Sequence, residues 1–440
     1  MKLGKIIGLL FLTVSLFVLS ACGSSSPDLY AQAQPEPYTA QAPIEITFAH
    51  IHGGATGEII NVLSAEFYEV TQGRINVTPL FVEGSYEGLL ERLQLLGLSN
   101  DLPEITQGGH QYLYFMSENL PIVPMQTFID RDGYDYSDIF PKMMDLARNS
   151  EGEILGFPFA VSTPILFYNR DLIEYMGIEI PTTFDQLREV AKQLTTDGMW
   201  GVYINYPITG NWIVQSLIEN FGEQILSPDR CSVGFYDAGL SAFELLNTLV
   251  NIDQTMPIAE TGEGAITSRQ MFMSGMIAMF LDTSAALRHY QNGADFRVGT
   301  ATHPSVGEEL IAAPAGGNSL YILSQNPAKQ DAAWEFLQWL AEPAQASRVS
   351  QNFGYMVISQ RAYNTPEYMG NFLIDNPEFQ VTYTQVDVLT TWANFPGGGT
   401  RYVRITQDNI EAMLHGQMTP QEALSATVLQ LNDLIAQEAR

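Results

Sequence analysis

Cysteine and basic residues are both scarce in this chain. It has only two cysteines, Cys22 and Cys231, in 440 residues. One internal disulfide is therefore the most it could form, and its stability must come from hydrophobic cores. It has 20 lysine and arginine residues against 49 aspartate and glutamate residues, a net charge of -29. This charge argues against nucleic acid and anionic lipid headgroups as partners.

The start of the chain is typical of an exported lipoprotein. A basic stretch, "MKLGK", precedes the apolar run "IIGLLFLTVSLFVLS" and the box "LSAC". Residues 1–22 are therefore predicted to be a lipoprotein signal peptide, with Cys22 acylated as the mature N-terminus; an ordinary signal peptide is the alternative. Acylation of Cys22 would leave Cys231 without a disulfide partner. Residues 23–43, rich in Ser, Ala, Gln and Pro, are predicted to be a flexible tether.

The rest of the chain has the composition and pattern of a folded α/β protein. Its hydrophobic content is 46% and its charged content 16%, and its length favours two or three globular units. Strands and helices alternate from residue 44, which predicts parallel strands. Thr56 and Ser85 are predicted N-caps, and Thr419 with Glu422 is predicted to form a capping box before the last helix.

Motifs of enzymes and metal sites are largely missing. His50, His52 and His110 could form a zinc site, but no cysteine partner or Glu-x-x-His pattern supports it. No nucleophile elbow or phosphate loop occurs. We therefore predict no catalytic residue, no metal and no cofactor. A surface glycosidase, which would need a pair of facing carboxylates, remains the enzymatic alternative.

Small polar and aromatic residues near strand ends suggest a binding protein instead. Ser162 and Thr163 lie between two apolar strands, and ligands of open α/β sheets bind at the carboxyl ends of strands. Aromatic rings that could stack on a sugar are provided by Tyr86, Trp212, Tyr355 and Trp392. Ordinary core packing is the alternative role for each ring.

Six segments, in order, resemble the family 1 extracellular solute-binding proteins of ABC importers. They are "FVEGSYEGLLERL", "PFAVSTPILFYN", "FMSGMIAMFLDTSAAL", "GGNSLYIL", "NFGYMVIS" and "GGGTRYVRI". The resemblance is closest to the sn-glycerol-3-phosphate-binding branch, a relative of maltose-binding protein. It implies a two-lobed, type II periplasmic-binding-protein-like α/β fold with discontinuous lobes joined by a hinge. The implied first lobe comprises 44–160 and 317–342, and the second 161–316 and 343–440. Hinge segments are expected at 160–162, 316–317 and 342–343.

The same resemblance implies the site and its ligand. The implied ligand-binding residues are Tyr86, His110, Ser162, Trp212, Ser284, Gly317, Tyr355 and Arg401. Arg401 would pair with a phosphate, with Arg404 as its competitor, and His110 stands where the branch has Glu. The expected ligand is sn-glycerol-3-phosphate or a related phosphorylated polyol; a neutral sugar or oligosaccharide is the alternative. The protein is expected to be a monomeric, membrane-anchored importer subunit that faces the cell exterior or periplasm and delivers its ligand to a permease. A sensor role is also open.

Overall fold

The computed structural model describes residues 42–258, 264–396 and 399–438. The predicted signal peptide, Cys22 and nearly all of the predicted tether lie outside these ranges. None of the helices within them combines the length and the apolar character needed to cross a membrane. Cys231 is an exposed free thiol.

The strands form two main sheets and one short pair. They are β1 (Ile44–His50), β2 (Ile75–Phe81), β3 (Ile105–Gly109), β4 (Phe157–Ser162), β5 (Pro164–Asn169), β6 (Trp200–Ile204), β7 (Ile277–Thr283), β8 (Val298–Thr302), β9 (Ala313–Pro314), β10 (Gly316–Ile322) and β11 (Leu389–Thr390). The five-stranded sheet has the order β2-β1-β3-β10-β4, the four-stranded sheet has the order β6-β7-β5-β8, and β11 pairs with β9.

The predicted parallel arrangement of the first three strands is confirmed, because β1 runs parallel to both β2 and β3. The returning strand β10 is antiparallel to β3 and β4. In the other sheet, β6 is parallel to β7, whereas β5 is antiparallel to β7 and β8. The carboxyl ends of β6 and β7 therefore meet at one edge.

The chain passes from one sheet to the other at the two hydroxyl residues. Strand β4 ends at Ser162 in the five-stranded sheet, and β5 begins at Pro164 in the four-stranded sheet. Thr163 is the single residue between them and is fully buried. Its hydroxyl accepts a hydrogen bond from Gln385 at 2.9 Å, so the polar side chain is satisfied inside the protein.

Seventeen α-helices occur in the described ranges. They are α1 (Gly54–Val70), α2 (Tyr86–Leu98), α3 (Leu113–Asn119), α4 (Met125–Asp132), α5 (Pro141–Asp145), α6 (Arg170–Met176), α7 (Phe184–Leu194), α8 (Trp212–Asn220), α9 (Asp237–Asn247), α10 (Gly264–Met273), α11 (Leu287–Gly293), α12 (Pro327–Ala341), α13 (Pro343–Phe353), α14 (Gln360–Asn364), α15 (Asn371–Asp375), α16 (Thr400–Leu414) and α17 (Pro420–Glu438).

Two of the three predicted caps are confirmed. Ser85 caps α2 by accepting the backbone N–H of Gly88. At α17, the Thr419 hydroxyl accepts the N–H of Glu422, and the Glu422 carboxylate accepts the N–H of Thr419. The prediction for Thr56 is wrong. Helix α1 begins at Gly54, so Thr56 lies in its first turn and its hydroxyl donates to the Gly53 carbonyl.

Aromatic rings pack beside each of the two main sheets and belong to one continuous core. Beside the five-stranded sheet, Phe336 of α12 packs on Phe48 of β1 at 6.2 Å and on Phe67 of α1 at 5.0 Å between ring centroids. Beside the four-stranded sheet, Tyr290 of α11 packs on Phe167 of β5 at 4.8 Å. Each buried ring contributes about 1.5–3 kcal/mol, so both layers are held by packing rather than by disulfides.

Helix α13 contacts α1 and α12, which lie beside the five-stranded sheet. The predicted boundary near residue 343 assigns residues 343–440 to the second lobe. Which lobe α13 moves with, and the lobe boundaries in general, stay predictions.

Candidate functional site

Ser162, Trp212 and Gly317 come together where the chain crosses between the sheets. Gly316 pairs with Ser162, and Gly317 pairs with Val161, across β10 and β4. A Cβ atom on Gly316 would lie 2.8 Å from the Ser162 Oγ and 2.9 Å from the Trp212 Cζ2. The absence of a side chain at residue 316 thus lets the hydroxyl and the indole approach one another.

Gly317 is required by its backbone. Its φ of 106° lies in the left-handed region that favours glycine, and a Cβ there would lie 1.9 Å from the Ala160 carbonyl oxygen. This position lies on the crossover, as predicted, and any side chain would displace the two crossing strands.

Tyr86 and Tyr355 meet beside the same strand. Asn318, the residue after Gly317, donates its Nδ2 to the Tyr86 hydroxyl at 2.7 Å. Burial raises the pKa of Tyr355, while its hydrogen bond with Tyr86 and the positive charge of Arg269 lower it. Both phenols therefore stay protonated near neutral pH and can donate or accept hydrogen bonds.

His110 lies directly after β3 and is buried. Its Nε2 is 3.4 Å from the Ser319 hydroxyl, and its carbonyl accepts the Nδ2 of Asn394 at 3.0 Å. Burial lowers the pKa of His110 to about 4, so the imidazole is neutral at pH 7. Its Nδ1 atom is buried without a hydrogen-bond partner.

The other two candidate zinc ligands lie close to each other. The rings of His50 and His52 stack with centroids 6.5 Å apart. Burial lowers the pKa of His50 to about 4 and that of His52 to about 3. Within the described ranges, no group of three or more His, Cys, Asp or Glu residues is placed to hold a metal ion.

Ser284 reaches the crossover from the four-stranded sheet. It follows β7, and its hydroxyl accepts the backbone N–H of Thr163 at 3.1 Å. Its own N–H donates to the Thr163 carbonyl at 2.9 Å. Ser284 is therefore held next to Ser162, and its hydroxyl still has its proton to donate.

Trp212 opens α8 and anchors an aromatic pair. Its Nε1 donates to the Pro314 carbonyl at 2.9 Å, and its ring lies 5.7 Å from that of Trp392. Trp392 also lines a cavity of about 190 Å³ together with Tyr114, Gln215 and Asn394.

Arg401 does not join the other predicted residues. Its side chain is 66% exposed and its Nη1 pairs with Glu438 at 2.9 Å, so it links α16 to α17. Arg404, the competing candidate, is also exposed on α16. Gly397 and Gly398 of the glycine-rich turn lie outside the described residues.

Sequence reasoning missed several polar residues around the crossover. Buried atoms without hydrogen-bond partners include Asn318 Oδ1, Gln111 Oε1 and Asn205 Oδ1. The "GGN" of the β10 motif could have drawn attention to Asn318. Gln111 and Asn205 stand alone after strands, with no motif to mark them. Each such atom costs about 1–3 kcal/mol when it is left unpaired. Unpaired polar atoms of this kind are typical of a site whose hydrogen bonds are completed by a ligand.

The known proteins to which this chain is similar are solute-binding proteins. The model of a family described as "Bacterial extracellular solute-binding protein" matches residues 63–380. A curated relative from Rhizobium meliloti (strain 1021), the sn-glycerol-3-phosphate-binding periplasmic protein UgpB, is 26% identical over 425 residues, which cover 91% of this chain and 95% of the relative.

Solved structures share the fold. UgpB from Mycobacterium tuberculosis, in complex with glycerophosphocholine, has a TM-score of 0.78 and 18% identity, covering 91% of this chain and all of that one. The cyclic α-maltosyl-1,6-maltose binding protein from Arthrobacter globiformis has a TM-score of 0.77 and 20% identity, covering 90% of this chain and all of that one. At these identities the likeness speaks for the fold alone.

Proposed function

Because the chain belongs to the bacterial extracellular solute-binding protein family, we propose that it captures sn-glycerol-3-phosphate or a related phosphorylated polyol. The chain is the substrate-binding protein of an ABC importer and has the two-lobed α/β fold of the periplasmic binding proteins. The ligand is held between the lobes and passed to a membrane permease.

The observation that carries the proposal is the set of unpartnered polar atoms near the crossover. Asn318 Oδ1, Gln111 Oε1 and His110 Nδ1 are buried without partners, and the protonated hydroxyl of Tyr86 lies beside them. Such polar atoms match the hydroxyl groups of a polyol, each of which donates one hydrogen bond and accepts others. A ligand that supplied these bonds would remove the cost of leaving the groups unpaired.

Support for a phosphorylated ligand comes from the relatives. The curated UgpB relative is described as binding sn-glycerol-3-phosphate and aligns along 91% of this chain. Arg401 adds little, because its charge already pairs with Glu438 at the surface.

A neutral sugar or oligosaccharide is the second candidate. The ring of Trp392, tilted by 31° against that of Trp212, lines the cavity of about 190 Å³, which has polar walls from Gln215 and Asn394. Sugars bind to this combination of ring faces and amides. A chain of sugar units would extend from the crossover into this cavity.

The proposal also covers the motion of the lobes, the fate of the ligand and the attachment of the protein to the membrane. The two lobes rotate about the crossover strands near Val161 and Gly317 when the ligand binds. The chain binds its ligand and does not convert it. It acts as a monomer attached to the membrane through acylated Cys22, a residue outside the described part of the chain.

Calorimetric and thermal-shift titrations of the full chain against glycerol-3-phosphate, ribitol and maltose test the proposal. Glycerol-3-phosphate at about 100 times its dissociation constant should add about 2.7 kcal/mol to stability. Asn318→Ala should weaken binding about 10-fold or more through the lost hydrogen bonds. The exposed Asn364→Ala serves as the control and should bind as the wild type does.

A wild-type chain that binds maltose and ignores glycerol-3-phosphate would favour the second candidate. Equal binding by Asn318→Ala and the wild type would contradict the assignment of the site to the crossover.

A further inference from the structure

A buried ion pair lies at the edge of the four-stranded sheet that faces the crossover. Asp282, near the end of β7, is fully buried and accepts hydrogen bonds from Arg269 Nε at 2.9 Å and Asn205 Nδ2 at 3.0 Å. The Tyr290 hydroxyl donates to the same carboxylate. The carboxylate is thus saturated with donors, and its negative charge is compensated by the guanidinium.

The position of this ion pair places it among the predicted ligand-binding residues. Asp282 precedes Ser284 by two residues and pairs with Ile165, just after the crossover. Asn205 directly follows β6, which runs parallel to β7. Both therefore lie at the carboxyl edge of this sheet, where ligands of open α/β sheets bind.

Electrostatics connects Arg269 with the opposite wall. The positive charge of Arg269 acts on the Tyr355 hydroxyl and lowers its pKa against the larger effect of burial. Tyr355 in turn meets Tyr86 beside β10. The guanidinium of Arg269 thus lies within electrostatic reach of the Tyr355 hydroxyl, which hydrogen-bonds Tyr86.

The guanidinium is only partly used by its partner. Nε and Nη2 of Arg269 point to Asp282 at 2.9 and 3.3 Å, which leaves Nη1 outside this pair, and 30% of the side chain is exposed. Beside it, Asn205 Oδ1 is buried and has no hydrogen-bond partner. Arg269 also hydrogen-bonds Tyr290, but a guanidinium carries five N–H donors, so donors of Arg269 and the Asn205 acceptor remain available at the same edge.

We propose that Arg269 is the ligand-binding cation of this site, contacting phosphate oxygens of a phosphorylated polyol, and that Asp282 is the residue that positions it. This inference rests on the proposed function for the class of ligand. Asn205 Oδ1 accepts a hydroxyl of the same ligand. Pairing with Asp282 holds the fork of the guanidinium in one orientation, so little further order is lost when it binds oxyanions.

The test removes both charges together, since Arg269→Gln alone would leave Asp282 buried and unpaired. The double variant Arg269→Gln/Asp282→Asn keeps the net charge. A matched control exists in Arg188 and Asp253, joined through Nε at 2.9 Å and Nη2 at 3.4 Å with side-chain exposures of 31% and 6%. Arg188 lies on α7, and Asp253 also pairs with Lys192 of the same helix at 3.4 Å, so the pair braces α7 and includes none of the predicted site residues.

We expect the Arg269→Gln/Asp282→Asn variant to bind glycerol-3-phosphate at least about 30-fold more weakly, in the range for truncating a charged pair at an interface. Arg188→Gln/Asp253→Asn should bind within about twofold of the wild type, because a pair with only a structural role affects stability and not affinity. Inorganic phosphate, a probe without the polyol part, should shift the melting temperature of the wild type but not that of the Arg269→Gln/Asp282→Asn variant.

Unchanged glycerol-3-phosphate affinity in the Arg269→Gln/Asp282→Asn variant, or a similar loss in the Arg188→Gln/Asp253→Asn control, would overturn the inference and leave the proposed function intact. A wild type that binds maltose but not glycerol-3-phosphate would overturn the proposed ligand. In that case the melting-temperature shift with inorganic phosphate tests Arg269. A shift in the wild type that is lost in the Arg269→Gln/Asp282→Asn variant supports the inference. No shift in the wild type refutes it.

Discussion

The wall contributed by the five-stranded sheet carries uncharged polar groups, whereas the wall contributed by the four-stranded sheet carries a buried ion pair. On the first wall, Asn318 and Gln111 present unpartnered oxygens, and His110 is kept neutral by burial. On the second, Arg269 and Asp282 compensate each other. The difference suggests a division of labour in which one wall recognises hydroxyl groups and the other recognises an oxyanion.

The comparison also explains how a chain with a net charge of -29 could hold an anion. Exposed charges farther than about 8–10 Å are screened by salt, whereas a buried pair is screened much less. Asp282 compensates the charge of Arg269, so the guanidinium acts on an oxyanion at short range, through N–H groups that Asp282 does not use, and the screened distant carboxylates contribute little. A neutral first wall adds no repulsion.

The largest expected effect comes from breaking the charged wall. Asp282→Ala leaves Arg269 half-buried without its partner and should lower the free energy of unfolding by about 3–5 kcal/mol. Asn318→Ala on the uncharged wall removes one hydrogen bond to Tyr86 and should cost about 1–2 kcal/mol. Urea unfolding of both variants measures the difference. Equal losses would mean that the two walls do not differ as described.

A buried carboxyl group on α8 should make stability depend on pH. Glu219, buried on α8, accepts hydrogen bonds from Gln215 at 2.8 Å and Thr390 at 2.5 Å, and burial raises its pKa from 4.5 to about 7. Between pH 4.5 and 7 the folded state therefore binds more protons than the unfolded state, and its stability falls as the pH rises. Glu219→Gln should gain about 1–3 kcal/mol over the wild type at pH 8 and almost nothing at pH 5.

The opposite sign is expected for the first wall. The pKa of His110 is lowered from 6.5 to about 4, so between these pH values the unfolded state binds more protons and stability is lost as the pH falls. Urea unfolding of Glu219→Gln and His110→Gln from pH 4 to 8 measures both effects. The difference in free energy of unfolding between variant and wild type should change with pH in opposite directions for the two variants. A change in the same direction would contradict the assignment of charge states.

The two walls also differ in how far the sequence could predict them. Tyr86, Ser162 and Gly317 lie in contiguous motifs at strand ends, and the structure places them around one crossover. Arg269 and Asp282 come from a helix and a strand 13 residues apart, and Asn205 comes from a third element. Only the fold brings these three together, because neither periodicity nor a motif links them. The N-cap prediction for Thr56 was wrong for a similar reason: the sequence pattern does not fix the first residue of α1, which is Gly54.

The smallest expected effect concerns a contact that joins the walls. The guanidinium of Arg230 lies 3.6 Å from the ring centroid of Tyr114 on α3 and donates to the Asn394 carbonyl at 2.6 Å. Asn394 also binds the His110 carbonyl, so this contact stabilises the arrangement in which the two walls are close.

A cation–π contact is worth about 0.5–1 kcal/mol at a partly exposed site. Arg230→Gln should therefore weaken ligand binding about two- to fivefold, because the binding-competent form becomes less populated, while the free energy of unfolding changes little. Titration calorimetry of Arg230→Gln, Tyr114→Leu and the double variant measures the coupling. Additive losses in the double variant would show that the two side chains act independently and that the contact does not hold the walls together.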